Sequence, residues 1–448
     1  RMTPVKDYKQ YFTPDRLAEY MVNIIPDETI KTVVDLSMGE CGLLEKAKKR
    51  WPDARLYGAD IDQNLILKIN KKSPYIKTFH GDSLSVELEN WKSYNKIVKK
   101  RGFDLAIANP PFDFYKQSEV DVNKNEKQVL PIEMQFLLKY INIVKEKGYI
   151  CIILPYGFLS LDLYKQLREQ LLEKVTIIKI MKIFDRCFNK IDAETCLLLM
   201  KKKKRGKNIQ SYINIQYLDN DYNLSDKQTI WVNRVDRWDL EYQAVLKQTD
   251  EIIKNTKMEK DVLGNYIQEC VRGKSITKNK ELLSDKGTRY IHTTDVQKLY
   301  IANKNKRYVY RNKEFFGKAI LRENMLLIGR VGKRCLGKIG IVSKNYARMF
   351  FSDCIFAVEV KNINPYYAAL FLSSEFGQMQ LKGIAKGSCS KYITQDGLSH
   401  ICILIPDKKL QDYFGNEYKR LLSRPGPKNE KVFVNLLEEL NQTIREER

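Results

Sequence analysis

No window of this sequence approaches eighteen consecutive apolar residues, and its first residues lack the basic, apolar, small-residue order of a secretory leader. A membrane-spanning helix is therefore excluded from the reading, and a cytoplasmic protein is expected. The nine cysteines (Cys41, Cys151, Cys187, Cys196, Cys270, Cys335, Cys354, Cys389 and Cys402) are odd in number, scattered, and form no C-x-x-C pair. That spacing argues against a disulfide framework and against a zinc site, so no metal is expected. There are only three histidines, His80, His292 and His400, and none is placed near a plausible Ser or Cys nucleophile in sequence. Imidazole-driven chemistry has little material here.

Positive charge is what the chain has in excess. Lys and Arg number 78 against 55 Asp and Glu, a formal net charge of +23 over 448 residues. Polyanions are the expected partners, although a lysine-heavy composition can also serve solubility alone.

From Thr32 to about Met200, short apolar runs alternate with helical patterns, as in βαβ units winding a mostly parallel sheet. Strands are expected at Thr32–Leu36, Arg55–Ala59, Thr78–His80, Asp104–Ala108, Tyr149–Pro155, Val175–Ile183 and Glu194–Met200. The basic run Lys201–Lys207 ends the alternation, and a polar, weakly periodic segment follows. After Met258 the texture turns to Gly-punctuated short strands: Tyr290–His292, Asn324–Gly329, Gly337–Val342 and Cys354–Val360. Helical pattern resumes over Pro365–Lys382, and an amphipathic stretch, Glu430–Arg445, closes the chain. The expected organisation is a doubly wound, Rossmann-like α/β domain over 1–207, a connection over 208–257, a mixed α+β domain over 258–410 and a helical segment over 411–448.

Three acids end successive strands of the first half. Asp35 closes the first and is followed by the tight turn Ser37-Met38-Gly39-Glu40-Cys41-Gly42, which lets backbone approach a ligand. Asp60 ends the second, where doubly wound folds bind ribose hydroxyls. Asp82 follows the third, where a carboxylate can accept from an adenine amino group.

The fourth strand runs into Asn109-Pro110-Pro111-Phe112, two prolines fixing the backbone where the strand ends. An exocyclic amino group of adenine is a poor nucleophile because its lone pair is delocalised into the ring. The side-chain oxygen of Asn109 and the carbonyl of Pro110 can accept its two hydrogens and hold the lone pair toward a sulfonium methyl, with no strong base required. Phe112 offers an apolar face to an extruded base. A polar insertion, 115–129, follows; it is either a loop that orders over DNA or a solvated excursion.

These residues resemble the gamma-class amino-methyltransferases of bacterial restriction–modification systems. That resemblance implies S-adenosyl-L-methionine as cofactor and adenine N6 in duplex DNA as acceptor. Tyr11-Phe12-Thr13-Pro14 is similar to the N-terminal cofactor motif of that class, with Thr13 on the methionine moiety. Asp35 and Ser37 match its first-strand positions, Asp60 and Ile61 its ribose and adenine contacts, and Asp82 with Ser83 its third, while Asn109 to Phe112 match N-P-P-[YF]. The resemblance further implies that Phe136 lies against the cofactor adenine and that Phe188 is a second stacking partner for the flipped base; core packing is the alternative for Phe188. Phe112 stands where tyrosine is common, and the first turn lacks the usual Pro and full glycine pattern.

From Leu263 the chain resembles a target-recognition domain of type I specificity subunits, through Val271-Arg272-Gly273-Lys274, Leu327 to Gly332, Asn364-Pro365-Tyr366-Tyr367, Lys386-Gly387-Ser388 and Ile403 to Pro406. What it implies is DNA contact by Arg272, Lys274, Arg330, Lys333 and Arg334. The expectation is thus a site-specific adenine-N6 DNA methyltransferase acting on double-stranded DNA as a monomer, with a cognate restriction endonuclease as a further partner. An RNA or protein-glutamine N-methyltransferase and a non-catalytic DNA-specificity protein are the alternatives. Because Arg1 stands just ahead of a cofactor motif, a place within a longer polypeptide also stays open.

Overall fold

In the computed structural model the described residues are 12–447, apart from 27–28, 114–115, 124–125, 189–192, 205–209, 233–236, 303, 305, 333, 388–389 and 425–429. The chain divides into two compact units, Arg1–Gln243 and Ala244–Arg448.

Unit 1 is built on strands β1 (Thr32–Asp35), β2 (Arg55–Asp60), β3 (Ile76–His80), β4 (Phe103–Ala108), β5 (Gln117–Asn123), β6 (Glu126–Pro131), β7 (Val144–Pro155), β8 (Val175–Ile183), β9 (Thr195–Lys202), β10 (Tyr212–Leu218) and β11 (Gln228–Trp231). Its helices are α1 (Asp15–Asn23), α2 (Gly42–Arg50), α3 (Gln63–Lys72), α4 (Lys92–Lys100), α5 (Ile132–Ile143) and α6 (Lys165–Lys174). All of these strands except β5 and β6 form one sheet of nine, ordered β11-β10-β8-β9-β7-β4-β1-β2-β3. The run from β3 to β7 is parallel, β9 inserts antiparallel between β7 and β8, and β10 pairs parallel with β8.

Strands β1 and β4 are buried along their whole length because both faces of the sheet are covered. Alternate residues serve opposite sides. Val33, Leu105, Ile107 and Cys151 pack with residues of α1, α2 and α3. Val34, Ala106, Ala108 and Ile150 pack with residues of α4, α5 and α6. Period-two side-chain direction thus splits one apolar strand between two cores.

Two segments differ from the sequence expectation. The stretch 208–257, expected as a connection, contributes β10 and β11 to the nine-stranded sheet of unit 1. In β10 the buried apolar residues are Ile213, Ile215 and Leu218, interleaved with the polar Asn214 and Gln216, so its apolar signal is weaker than that of β1 or β4. The insertion after Asn109-Pro110-Pro111-Phe112 is a two-stranded hairpin, β5 with β6.

In unit 2 the strands are β12 (Glu259–Val262), β13 (Ile267–Arg272), β14 (Leu283–Ser284), β15 (Thr288–Ile291), β16 (Tyr308–Val309), β17 (Leu326–Gly329), β18 (Ile339–Ile341), β19 (Phe350–Phe351), β20 (Ile355–Val360) and β21 (Cys402–Ile405). They form small sheets ordered β13-β20-β17-β18 and β14-β16-β15-β19, plus the pair β12-β21. Helix α7 (Leu240–Asn255) carries the chain into this unit, followed by α8 (Lys313–Phe316), α9 (Pro365–Ser373), α10 (Glu375–Ile384), α11 (Gln395–Ser399), α12 (Lys408–Ser423) and α13 (Val434–Glu446). The helical run expected over Pro365–Lys382 is two helices. Ser374 ends the first and caps the second, its hydroxyl accepting from Gly377 N.

At the amino end of β4, buried Asp104 ties the sheet together. It accepts from Lys31 N at 3.0 Å, Thr32 N at 2.8 Å and Thr32 Oγ1 at 2.9 Å, and pairs with Lys145. Burial pushes its pKa up, but the Lys145 and Thr32 hydrogen bonds outweigh burial and leave it below the usual carboxylate range. Asp104→Ala should lower the unfolding free energy by about 3–5 kcal/mol, as for a broken buried ion pair. In the wild type that contribution is present at neutral pH and is lost as pH falls through the depressed native pKa. Urea denaturation of both forms from pH 7 down to about pH 2.5 would check this: the gap should hold to about pH 4 and narrow below it.

Candidate active site

Strand order in unit 1 reverses between β1 and β4: successive strands lie on one side through β2 and β3, then on the other through β4 and β7. Doubly wound sheets open a crevice at such a switch point, outside the carboxyl ends of the strands. Here the two strand exits are Asp35 to Cys41 and Asn109 to Phe112. Between them lies a cavity of about 340 Å³, lined by Phe12, Thr13, Asp35, Ser37, Gly39 and Asn109 among others. Small-molecule sites run from roughly 300 to 1,000 Å³.

The turn after β1 is held open by backbone geometry. Gly39 has φ +51, and Met38 N donates to Ala59 O at 3.0 Å. A Cβ on Gly39 would stand 3.1 Å from the ring of Phe12, so the glycine makes room where the N-terminal segment crosses the turn. Cys41, also left-handed at φ 61, starts α2.

The acids sit behind this surface. Asp35 is 2% exposed; its Oδ1 accepts from Ser37 N at 3.0 Å, while the Tyr140 hydroxyl lies 3.4 Å from it and accepts from Leu36 N at 2.9 Å. Asp60 accepts from Gly39 N and Asp62 N, each at 2.9 Å. Burial pushes the Asp35 carboxyl up to about 7, with the nearby Asp60 charge adding to the effect. Burial likewise raises Asp60. Two carboxylates made reluctant to ionise side by side form a place that favours a cation.

Of the residues expected from sequence, Thr13, Asp35, Ser37 and Asn109 share the cavity. Asp60 reaches it through Gly39. Ile61 is a large apolar residue left 40% exposed just past β2. Asp82 turns back on its own loop, accepting from Leu84 N at 2.9 Å. Ser83 is buried, and its hydroxyl is without a hydrogen-bond partner among the described residues. Phe136 is buried and stacks on Tyr140, with ring centroids 6.2 Å apart. Pro110 is buried, whereas Pro111 and Phe112 are half-buried. Phe112 packs against the same apolar cluster that contains Phe188, itself 4% exposed. Tyr11, Lys333 and Ser388 lie outside the described residues.

Sequence reasoning missed Tyr140 and Glu133. Both lie on α5 with Phe136, at spacings of three and four residues that share one helix face. Tyr140 joins β1 to that helix. Glu133, 3% exposed and raised in pKa by burial, accepts from Asp113 N at 3.3 Å, directly beyond Phe112. The signal available was a tyrosine and an acid at helical spacing from Phe136, which is ordinary core pattern until the fold is known.

In unit 2, Arg272 and Arg330 meet at the carbonyl of Asp353, at 3.2 and 3.0 Å. Lys274 and Arg334 are exposed. Among the described residues no group of His, Cys, Asp and Glu is placed to hold a metal ion, and no helix is long and apolar enough to cross a membrane.

Residues 3–270, more than half of the chain, match the N-6 DNA Methylase family. The chain belongs to that family. Residues 265–413 of this methylase-family chain match the Type I restriction modification DNA specificity domain. The family implies S-adenosylmethionine as cofactor. Among curated relatives, the EcoEI type I restriction enzyme methylase subunit of Escherichia coli is 23% identical over 223 residues, covering 45% of this chain and 44% of that protein. A protein of Methanocaldococcus jannaschii, named type II restriction enzyme and methyltransferase RM.MjaORFECS2P, is 26% identical over 156 residues, covering 33% of this chain and 13% of its own length. The chain thus spans less than half the length of either relative. The solved type IIG restriction endonuclease BpuSI aligns at a TM-score of 0.43 and 13% identity, over 97% of this chain and 65% of that one.

The raised Asp35 makes a testable demand on the ligand-free protein. Unfolded, the carboxyl ionises near its ordinary value; folded, it keeps its proton up to about pH 7. Stability is therefore lost as pH rises from about 4 toward 7, and the full cost stands above that. Asp35→Asn removes it. The melting temperature of Asp35→Asn minus that of the wild type should increase from pH 4.5 to pH 8; a difference independent of pH would contradict the assignment.

Proposed function

We propose that this chain is a site-specific DNA methyltransferase that transfers a methyl group from S-adenosyl-L-methionine to N6 of a flipped-out adenine in duplex DNA. One observation carries the proposal: Asn109, at the exit of β4, lines the same switch-point cavity as Thr13, Asp35 and Ser37. A nitrogen-activating amide and a cation-favouring surface are thereby placed side by side.

The residues present fit the cofactor. Buried Asp35 and Asp60 suit a molecule that carries positive charge, Gly39 leaves room for close approach, and the unpartnered Ser83 hydroxyl is a donor awaiting an acceptor. Thr13, Asp35 and Ser37 would hold the methionine part, Asp60 the ribose, and Ile61, Asp82, Ser83 and Phe136 the adenine. When bound, the cofactor supplies an electrophilic methyl group on a sulfonium.

The rest falls to the chain. Asn109 Oδ1 and the Pro110 carbonyl accept the two hydrogens of the target amino group, localising its lone pair toward the methyl. Pro110 and Pro111 restrict the loop so that this geometry is held before substrate arrives. Phe112 and Phe188 would flank the extruded base, replacing the stacking it loses. For Phe188, 4% exposed, this requires the ring to leave its buried position on binding. Duplex DNA is taken by unit 2 through Arg272, Lys274, Arg330 and Arg334, with the DNA specificity domain match over 265–413 as support. The setting is the cytoplasm.

The test is label transfer from S-adenosylmethionine to unmethylated genomic DNA, followed by nucleoside analysis. N6-methyladenine is expected. Label in RNA or in protein glutamine, with none in DNA, would overturn the substrate assignment. Asn109→Ala should cut the transfer rate by at least about 10²–10³-fold, the scale of losing one preorganised charge-stabilising contact. Its cofactor affinity, measured by calorimetry, should stay near that of the wild type. Asp60→Ala should instead weaken cofactor binding first.

A further inference from the structure

The end of β13 in unit 2 is clamped more tightly than an exposed DNA-contact loop requires. Gly273 packs so closely that a Cβ there would stand 2.1 Å from Ser352 O. The flanking backbone adds Gly273 N to Ile355 O at 3.3 Å and Lys274 N to Phe351 O at 3.0 Å. Arg272, one residue earlier, is therefore fixed at its backbone by the turn that joins β19 to β20. Its head is fixed by the same turn: Nε donates to Asp353 O at 3.2 Å and Nη2 to Asp353 Oδ2 at 3.3 Å.

A second guanidinium closes on the same point. Arg330 Nη1 donates to Asp353 O at 3.0 Å, and Arg330 lies over the Phe356 ring at 5.2 Å. Its Nε is buried with no hydrogen-bond partner among the described residues. Two like charges at one carbonyl repel, and burial together with Arg272 holds Arg330 below its ordinary pKa. A partner rich in acceptors would offset this crowding, because hydrogen bonds from an ionised donor are strong.

The geometry points to Arg272, oriented by Asp353, as the side chain that reads a guanine in the target sequence. With the Nε and Nη2 side of its fork turned to Asp353, the opposite side, Nη1 and the second Nη2 hydrogen, is left for a ligand, and the side chain is 56% exposed. Two parallel donors match the O6 and N7 acceptors that guanine alone presents in the major groove. The carboxylate also discriminates. It repels a charged phosphate more strongly than an uncharged base edge, so an acid beside the arginine favours base over backbone. Arg330 anchors the turn that carries Asp353 and acts as a positioning residue. This inference rests on unit 2 being the DNA-recognition part of a methyltransferase.

The experiment uses the full chain and a library of duplexes with randomised sequence, with N6-methyladenine mapped by sequencing. The wild-type target should contain guanine. Arg272→Lys, which keeps the charge and loses the fork, should reduce preference for guanine at one position on the order of tenfold, the discrimination of one bidentate pair, with other positions retained. Asp353→Ala should relax the same position, and Asp353→Asn should relax it less. A uniform fall over all sequences with a shallower salt dependence would make Arg272 a phosphate contact and overturn the inference, as would an unchanged target or a wild-type target without guanine. Arg272 is exposed, so Arg272→Lys tests the idea even where a substitution at Asp353 disturbs the turn. Failure of the underlying proposal would show in the wild type alone, as DNA that takes no label.

Discussion

Burial of the Asp35 carboxyl at the carboxyl end of β1 is the constraint on which the first unit depends. A carboxylate 2% exposed must be hydrogen-bonded or stay protonated. Ser37 and Tyr140 supply hydrogen bonds, but not enough to offset burial beside Asp60, so the carboxyl holds its proton to about pH 7. The partners needed for that carboxyl also set the shape of the site. Tyr140 brings α5 against β1, and the turn from Ser37 to Cys41 hugs the carboxyl ends of β1 and β2 through Met38 and Gly39.

From this corner the consequences run outward along α5. The helix face that carries Tyr140 also carries Phe136 and, one turn earlier, Glu133, which meets the backbone of Asp113 just past the two prolines. The strand exit that lines the cavity and the loop that carries Asn109 are thus braced by the same helix. At the opposite end of the sheet Asp104 ties β1, β4 and β7 together through Thr32 and Lys145. With its ends secured in this way, the sheet holds Asn109 and Asp35 at one crevice with little freedom between them.

Much of unit 1 was legible in the sequence because its inner strands are covered on both faces. β1 and β4 are buried at every position, and the expected bounds of β1, β4 and β8 lie within a residue of the observed ones. The two strands beyond β8 were not legible. In β10 polar Asn214 and Gln216 interrupt the buried apolar residues, and in β11 only Ile230 is buried, so 208–257 looked like a polar connection while its first half extends the sheet. The pairing β14-β16-β15-β19 was equally hidden, since strands of two to four residues leave no period to detect.

By itself the sequence determined the strand–helix alternation, the acids at successive strand ends, the Asn109-Pro110-Pro111-Phe112 exit and the net positive charge of the chain. These are local properties: burial period, turn chemistry and charge, each carried by a few neighbouring residues. Only tertiary structure decided which of the acids share a cavity, that Tyr140 serves Asp35 across 105 positions of chain, and that Asp353, unremarkable as a loop residue, gathers Arg272 from the end of β13 and Arg330 from just past β17. The physical reason is that a carboxyl's ionisation and a guanidinium's orientation depend on neighbours a few ångströms away in space. Sheet pairing brings those neighbours from parts of the chain that no local pattern connects.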